Sequence, residues 1–290
     1  MNVLKTIHSK GPYNFNLVLD RLSLDPLHVV NSAKRMVKVP LMIDDTPQAA
    51  EVRAIGTTEK PTFEITGTNE KGIEALTDIF QLNTDLGKIH SHFQQTTLKS
   101  LFDEHYGTAL VLEFDPYRSL LKSIIHQQLN LKFAHTLTER FVKTYGNEID
   151  GVWFYPSPEK LAALTVEELR ELQFSGRKAE YVIGVAERVC SGELNFKEMK
   201  HLYNQEIHDI LIKLRGVGPW TVQNFLMFGM GRHNLFPMAD IGLQNALKKH
   251  FDLAQKPSKA EMELYIKEWE PYLSYASLYL WRSIESGVKK

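Results

Sequence analysis

Cysteine is almost absent: one residue in 290, Cys190. A single thiol excludes an internal disulfide, a four-cysteine zinc site and an iron–sulfur cluster held by the chain's own thiolates. Cys190 itself is expected to be a small buried apolar residue in a helix. Excess charge is lacking too, because 34 Lys and Arg face 35 Asp and Glu and leave a formal net charge of -1. The basic footprint that phosphate contacts usually leave is therefore missing from the total, and any nucleic-acid face has to be local. No apolar run approaches the roughly 20 residues that span a bilayer, and the opening MNVLKTIHSKGPYNF has no apolar signal stretch. These absences predict a cytoplasmic protein with no membrane partner. The 11 histidines show no metal-ligand spacing, and no Ser–His–Asp order, nucleotide-binding glycine loop, repeat or low-complexity tract stands out.

What is present is ordinary for a globular chain, with 43% hydrophobic and 24% charged residues. Its length suits two or three sub-domains sharing an interface. Residues 15–19, 35–43, 50–57 and 62–67 are short, rich in β-branched or aromatic residues, and separated by turn-formers such as Gly11, Asp44, Asp45, Gly56, Pro61 and Gly67. They predict a small antiparallel sheet. Ile73, Leu76, Ile79 and Phe80, then Ile89 and Phe93, recur at helical spacing. From Asp115 onward the chain reads as successive helices: Pro116 in a first turn ahead of Leu120, Leu121, Ile124 and Ile125, a Thr165/Glu168 capping box, and a periodic segment from Ala179 to Cys190. The expected class is α+β, with an N-terminal antiparallel sheet domain with helices over 1–112 and an all-helical body over 113–290. The N-terminal sheet is expected to buttress that body.

Two motifs in the body carry chemistry. Ile207, Ile210, Leu211 and Leu214 make one apolar helix face, Gly216-Val217-Gly218 interrupts it, and Pro219 opens a second helix with Val222, Phe225 and Leu226. Two glycines around one apolar residue permit a tight turn with exposed N–H groups beside a helix N-terminus, which binds a phosphate oxygen without a lysine. Further on, Phe236-Pro237 leads into Asp240, which opens another helix carrying Ile241, Leu243 and Leu247. Taken alone, Asp240 reads as a helix N-cap worth about 1 kcal/mol.

Taken together, LRGVGPWT between two apolar helices (about 205–230) and the aspartate 20 residues after Trp220 resemble the helix-hairpin-helix superfamily of DNA glycosylases. EWEPYLSYASLYLWR, with Trp269, Pro271, Ala276, Leu280 and Trp281, resembles its alkylation-repair branch, DNA-3-methyladenine glycosylase II. So does SIIHQQLNLKFAHTLTERF at 123–141. The resemblance covers about 115–282 and extends in layout to the N-terminal sheet.

The resemblance implies a base-excision repair enzyme acting on double-stranded DNA, as a monomer, that flips out and hydrolyses off alkylated bases such as 3-methyladenine. Asp240 would be the catalytic carboxylate beneath the sugar, stabilising positive charge as the base departs and orienting water. Trp220 and Trp281 would form a base pocket in which cationic N-alkyl purines stack, each contact worth roughly 0.5–2 kcal/mol. Gly216, Val217, Gly218 and Thr221 would bind DNA at the hairpin. Gln127 and Gln128 stand where the family places a helix-end contact and the plug for the vacated gap. Backbone carbonyls including Leu214 and Val217 would hold a structural Na+ or K+, with no other cofactor required. Trp220 occupies the position of the lysine that lyase-active members use as a Schiff-base nucleophile, so the chain is expected to be monofunctional and to leave abasic sites. Asn224 stands where the branch often has tyrosine, which opens the substrate range. Three alternatives stay open: a glycosylase for another damaged purine, a non-catalytic helix-hairpin-helix DNA-binding protein, and an α+β protein with no DNA role.

Overall fold

A computed structural model of the chain describes residues 4–285. Five strands, β1 Lys5–His8, β2 Val29–Asn31, β3 Met36–Ile43, β4 Thr46–Ala54 and β5 Thr62–Thr66, form one antiparallel sheet in the order β1-β5-β4-β3-β2. β3 and β4 make the hairpin, with Val37 opposite Val52 and Val39 opposite Ala50. All four of these side chains are buried, as expected where alternate residues of a strand line one face. Helices follow from Glu70 onward, interrupted among the described residues only by a two-stranded ribbon over Asn147–Ile149 and Val152–Phe154. The α+β class is the one expected.

Several local expectations are corrected. Residues 15–19 are not a strand but the start of a helix, Phe15–Leu22. The Asn14 side chain caps it by accepting from the Leu17 N–H, and Phe15, Val18, Leu19 and Leu22 are buried at helical spacing. β1, β2 and the 147–154 ribbon are short elements that periodicity does not reveal. Cys190 is exposed, since it is the last residue of the Gly176–Cys190 helix, past the point that the core covers. Ile241 is 64% exposed, so Leu243, Ala246 and Leu247 alone bury the apolar face of the Ile241–His250 helix. The Pro116–His126 helix and the Thr165/Glu168 capping box stand where the sequence places them.

Two apolar cores organise the molecule, and they do not follow a division at residue 112. One joins the sheet and the first helices to residues 227–280, including Trp269, Tyr275 and Leu280. The other packs the helices between Tyr117 and Leu226, together with Leu27. The chain thus leaves the first core, builds the second, and returns. The hairpin belongs to the second core and Asp240 to the return segment, so the candidate site lies where the two meet.

Candidate active site

The hairpin turn is fixed by sterics. Gly216 has φ +85°, and a Cβ there would stand 2.1 Å from the Tyr181 ring, so both the left-handed backbone and the close ring demand glycine. Leu214 receives the Val217 N–H at 3.0 Å, and Leu214 and Val217 are buried. That bond uses one of the two lone pairs on the Leu214 carbonyl, which leaves the other for a cation. Gly218 differs from Gly216: its φ is −107° and nothing lies within 4 Å of an added Cβ. Its missing side chain leaves open space at the start of the Pro219–Asn224 helix.

Gln127 and Thr221 are turned inward. Gln127 Nε2 donates to the Gly216 carbonyl at 2.9 Å and to Thr221 Oγ1 at 2.7 Å, and Thr221 is 1% exposed. Expected as DNA contacts, these side chains instead tie the end of the Pro116–His126 helix to the hairpin. Lys178 reinforces the junction, with Nζ donating to the Ile125 and Gln127 carbonyls at 2.5 and 2.9 Å. Gln128, by contrast, is exposed and has φ +57°, so it projects from the turn between two helices.

The two predicted pocket tryptophans meet at the carboxylate of Asp240, the predicted catalytic residue. Asp240 Oδ1 accepts from the Leu243 N–H at 2.9 Å and from Trp281 Nε1 at 3.0 Å, while Oδ2 accepts from Trp220 Nε1 at 2.9 Å. The N-cap bond to Leu243 is the ordinary role of such an aspartate; the two indole bonds are additional and fix both oxygens. Gly242 makes room for them, because a Cβ there would stand 2.9 Å from Asp240 Oδ1 and 3.3 Å from the Trp281 ring.

Trp220 also lines a cavity of about 370 Å³ together with Asn224 and Phe228, whereas Trp281 is not on its wall. Trp281 packs instead against Phe228, ring centroids 5.9 Å apart. Asn224 folds back to donate to the Trp220 carbonyl at 3.0 Å, and so puts no ring where a tyrosine would. The expected stacking pair is therefore replaced on the cavity wall by Trp220 and Phe228.

The rest of the wall was not foreseen. Leu17, Arg21, Leu24, Asp25 and His28 come from the N-terminal segment, and Glu113, Lys122, His126 and His135 from the second core and its approach. The N-terminal unit thus builds part of the cavity rather than only buttressing the body. Lys122 pairs with Asp25 and Glu113, and Arg118 lies against the same two carboxylates. Although burial opposes ionisation, Lys122 and Arg118 hold the Glu113 carboxyl down at about 2 and keep that of Asp25 below the usual range. One signal was legible: Arg118 stands three and seven residues before Leu121 and Ile125, on the apolar face of its helix, and a cation there asks for a buried partner.

Comparison with known proteins gives this arrangement a family. Residues 121–271 match the model of the HhH-GPD superfamily base excision DNA repair protein. The chain is 52% identical to YfjP of Bacillus subtilis over 277 residues, covering 94% of this chain and 96% of that one. It is 31% identical to a DNA-3-methyladenine glycosylase of the same organism over 218 residues, 73% of this chain and 72% of the other. In fold it is similar to a 3-methyladenine DNA-glycosylase from Archaeoglobus fulgidus, with a TM-score of 0.85, 22% identity, and coverage of 99% of this chain and 100% of that one.

Proposed function

The chain belongs to the HhH-GPD superfamily of base excision DNA repair proteins, and from that premise we propose that it is a monofunctional DNA glycosylase for alkylated bases such as 3-methyladenine. It acts as a cytoplasmic monomer on double-stranded DNA and leaves an abasic site. The observation that carries this reading is the Asp240 carboxylate, held by two indole N–H groups and one backbone N–H at the mouth of a helix. A carboxylate fixed on three sides needs no reorganisation as charge develops near it.

The reaction breaks the bond between C1′ of the sugar and the base nitrogen, and the electron pair leaves with the base. Asp240 faces the positive charge that builds on the sugar, steadies it, and takes a proton from the water whose oxygen bonds to C1′. With the Val217 N–H on the Leu214 carbonyl, the Gly216 and Gly218 N–H groups of the hairpin receive a backbone phosphate in the open space at Gly218, and a helix N-terminus there suits an anion. The Leu214 and Val217 carbonyls would hold a monovalent cation, which would stiffen the turn. Gln128, projecting from its turn, fills the gap left by the extruded nucleotide and offers its amide to the orphaned base. Trp220 and Phe228 take the extruded base against their rings.

No lysine stands at the Trp220 position, which favours water over a Schiff base. The test is base release from methylated duplex DNA by the intact protein and by Asp240→Asn, with alkali to reveal abasic sites. The intact protein is expected to release 3-methyladenine and leave alkali-labile, unbroken strands, and the variant to do neither. Duplex binding with no release by the intact protein would overturn the catalytic reading in favour of a binding module.

A further inference from the structure

The cavity beside Trp220 has a polar end that the reaction above does not use. Lys122 Nζ donates to Asp25 Oδ2 at 2.8 Å and to Glu113 Oε1 at 2.6 Å. Arg118 lies against the same carboxylates, with Nε 3.1 Å from Glu113 Oε2. Two anions and two cations sum to zero. His28 adds no charge: its Nδ1 donates to the Leu22 carbonyl at 2.9 Å while Nε2 accepts from Arg118, a neutral tautomer. A cationic base therefore meets no net positive charge at this end.

The Glu113–Lys122 pair has hydrogen-bonding capacity to spare on both sides. An ammonium has three N–H groups, and Lys122 has two of them on carboxylates. Each carboxylate oxygen has two lone pairs; Glu113 Oε1 has given one to Lys122, and Oε2 has no hydrogen bond. A second cavity, of about 830 Å³, is lined by Glu113 but not by Lys122. The Oε1 that Lys122 bonds is thus the oxygen on the Trp220 side. The two side chains are 15% and 19% exposed, within reach of an occupant. A buried ion pair is a poor source of stability beside apolar packing of the same volume. An unsaturated one on a cavity wall is better explained by what it offers that occupant.

The way a nucleotide enters sets which edge arrives there. Its sugar faces Asp240, whose Oδ2 holds the Trp220 indole, so N9 of an extruded purine stays at that end. The Watson–Crick edge lies across the ring system from N9 and goes in deepest. Glu113 is seated beside the stacking rings, because its N–H donates to the Phe228 carbonyl at 2.8 Å. Building on the glycosylase reading, we infer that Glu113 and Lys122 are specificity-determining residues that read the Watson–Crick edge of the extruded purine, so that bases alkylated at N3 or N7 are favoured over bases alkylated at N1. In 3-methyladenine that edge is intact: the 6-amino group donates to Glu113, and N1 accepts from the third Lys122 N–H. Positive charge on the ring strengthens the amino donor toward a carboxylate. In 7-methylguanine the same two residues meet N1–H and O6, again one donor and one acceptor on neighbouring atoms. A methyl group on N1 removes the ring's acceptor or donor and leaves its partner on the wall unpaired.

The experiment compares 3-methyladenine with 1-methyladenine in one duplex sequence, each opposite an abasic-site analogue so that neither is paired. Both are cations with the same 6-amino group, and only the nitrogen that carries the methyl differs. The readout is single-turnover base release divided by the uncatalysed rate. The wild-type protein is expected to accelerate release of 3-methyladenine about tenfold to a hundredfold more than that of 1-methyladenine, the usual weight of a charged hydrogen bond. Glu113→Leu combined with Lys122→Met removes one anion and one cation and leaves Asp25 with Arg118. In that variant the ratio is expected to collapse toward one, chiefly through slower release of 3-methyladenine. Equal or greater acceleration of 1-methyladenine by the wild-type protein overturns the inference without any variant. An unchanged ratio in the double variant, shown by thermal melting to be folded, overturns it too. Release of neither base would sink the glycosylase reading itself, whereas release of both without preference would sink only the role given to Glu113 and Lys122.

Discussion

Trp281 Nε1 lies 3.0 Å from Asp240 Oδ1, and this bond, rather than a stacking surface, is what Trp281 contributes to the site. The ring is off the cavity wall and rests on Phe228. Trp220 makes the matching bond to the other oxygen, but it also faces the cavity. Two tryptophans that look equivalent in sequence therefore divide into one positioning residue and one that serves both purposes.

Trp281→Phe keeps most of the aromatic packing and deletes the N–H. The Asp240 carboxylate then keeps two of its three donors and gains freedom to rotate. Single-turnover release of 3-methyladenine is expected to fall about tenfold, the worth of one such bond, with abasic-DNA affinity within about threefold of the parent. An equal loss of affinity and rate would mean that the ring binds DNA instead of steadying the carboxylate.

Gly242→Ala separates activity from stability. Alanine is favoured over glycine in a helix by roughly 0.5–1 kcal/mol, so the melting temperature is expected to hold or rise. The new Cβ, however, would stand 2.9 Å from Asp240 Oδ1 and 3.3 Å from the Trp281 ring, and one of them has to move. Base release is expected to drop at least about tenfold while thermal unfolding shows no loss.

Much of this site was legible from the chain because its signals are local. The Gly216-Val217-Gly218 turn, the proline-led approach to Asp240, the first-turn Pro116 and the Thr165/Glu168 capping box each lie within a few residues of what they organise. The Phe15–Leu22 helix was mistaken for a strand because FNLVL is apolar and β-branched, and the deciding facts are the Asn14 cap and a register that continues to Leu22. The Asp25–Glu113–Lys122 cluster stayed hidden for a different reason. Its partners are 97 and 9 residues from Lys122, and only the packing of the N-terminal segment at Leu27 into the second core brings them to one wall. That Gln127 bonds Thr221 and the Gly216 carbonyl was not foreseen, since residue type does not say which side of a helix end is covered.

Gly216→Ala tests the hairpin turn. The substitution forces a left-handed backbone on alanine and drives its Cβ to within 2.1 Å of the Tyr181 ring. Strain of about 1–3 kcal/mol is expected, together with loss of duplex affinity that shows in titrations at moderate salt. Gly218→Ala should behave differently, because its backbone is unstrained and its Cβ meets nothing. It is expected to leave the melting temperature within a degree or two yet weaken DNA binding, by intruding on the space where a phosphate approaches. Equal stability losses in the two variants would deny that division of labour.

Acid should destabilise the fold through two buried histidines before the carboxylates titrate. His28, buried beside Arg118, Lys122, Asp25 and Glu113, has its pKa lowered to about 3. His126, buried beside Lys122 and His135 and also within reach of Glu113 and Asp25, is lowered to about 3 as well. Both are neutral in the folded chain near pH 5, whereas an unfolded histidine, with a pKa near 6.5, is protonated there. The unfolded state thus binds more protons, and each histidine removes about 1.4 kcal/mol of stability per pH unit as pH falls from about 6.5 toward 3. The contribution is fully present above pH 6.5. Urea midpoints measured from pH 7.5 down to 4.5 are expected to fall steadily below about 6.5. In His126→Phe, which cannot take up that proton, the slope is expected to be shallower by about one proton. A slope unchanged in that variant would mean that His126 is already protonated in the folded protein.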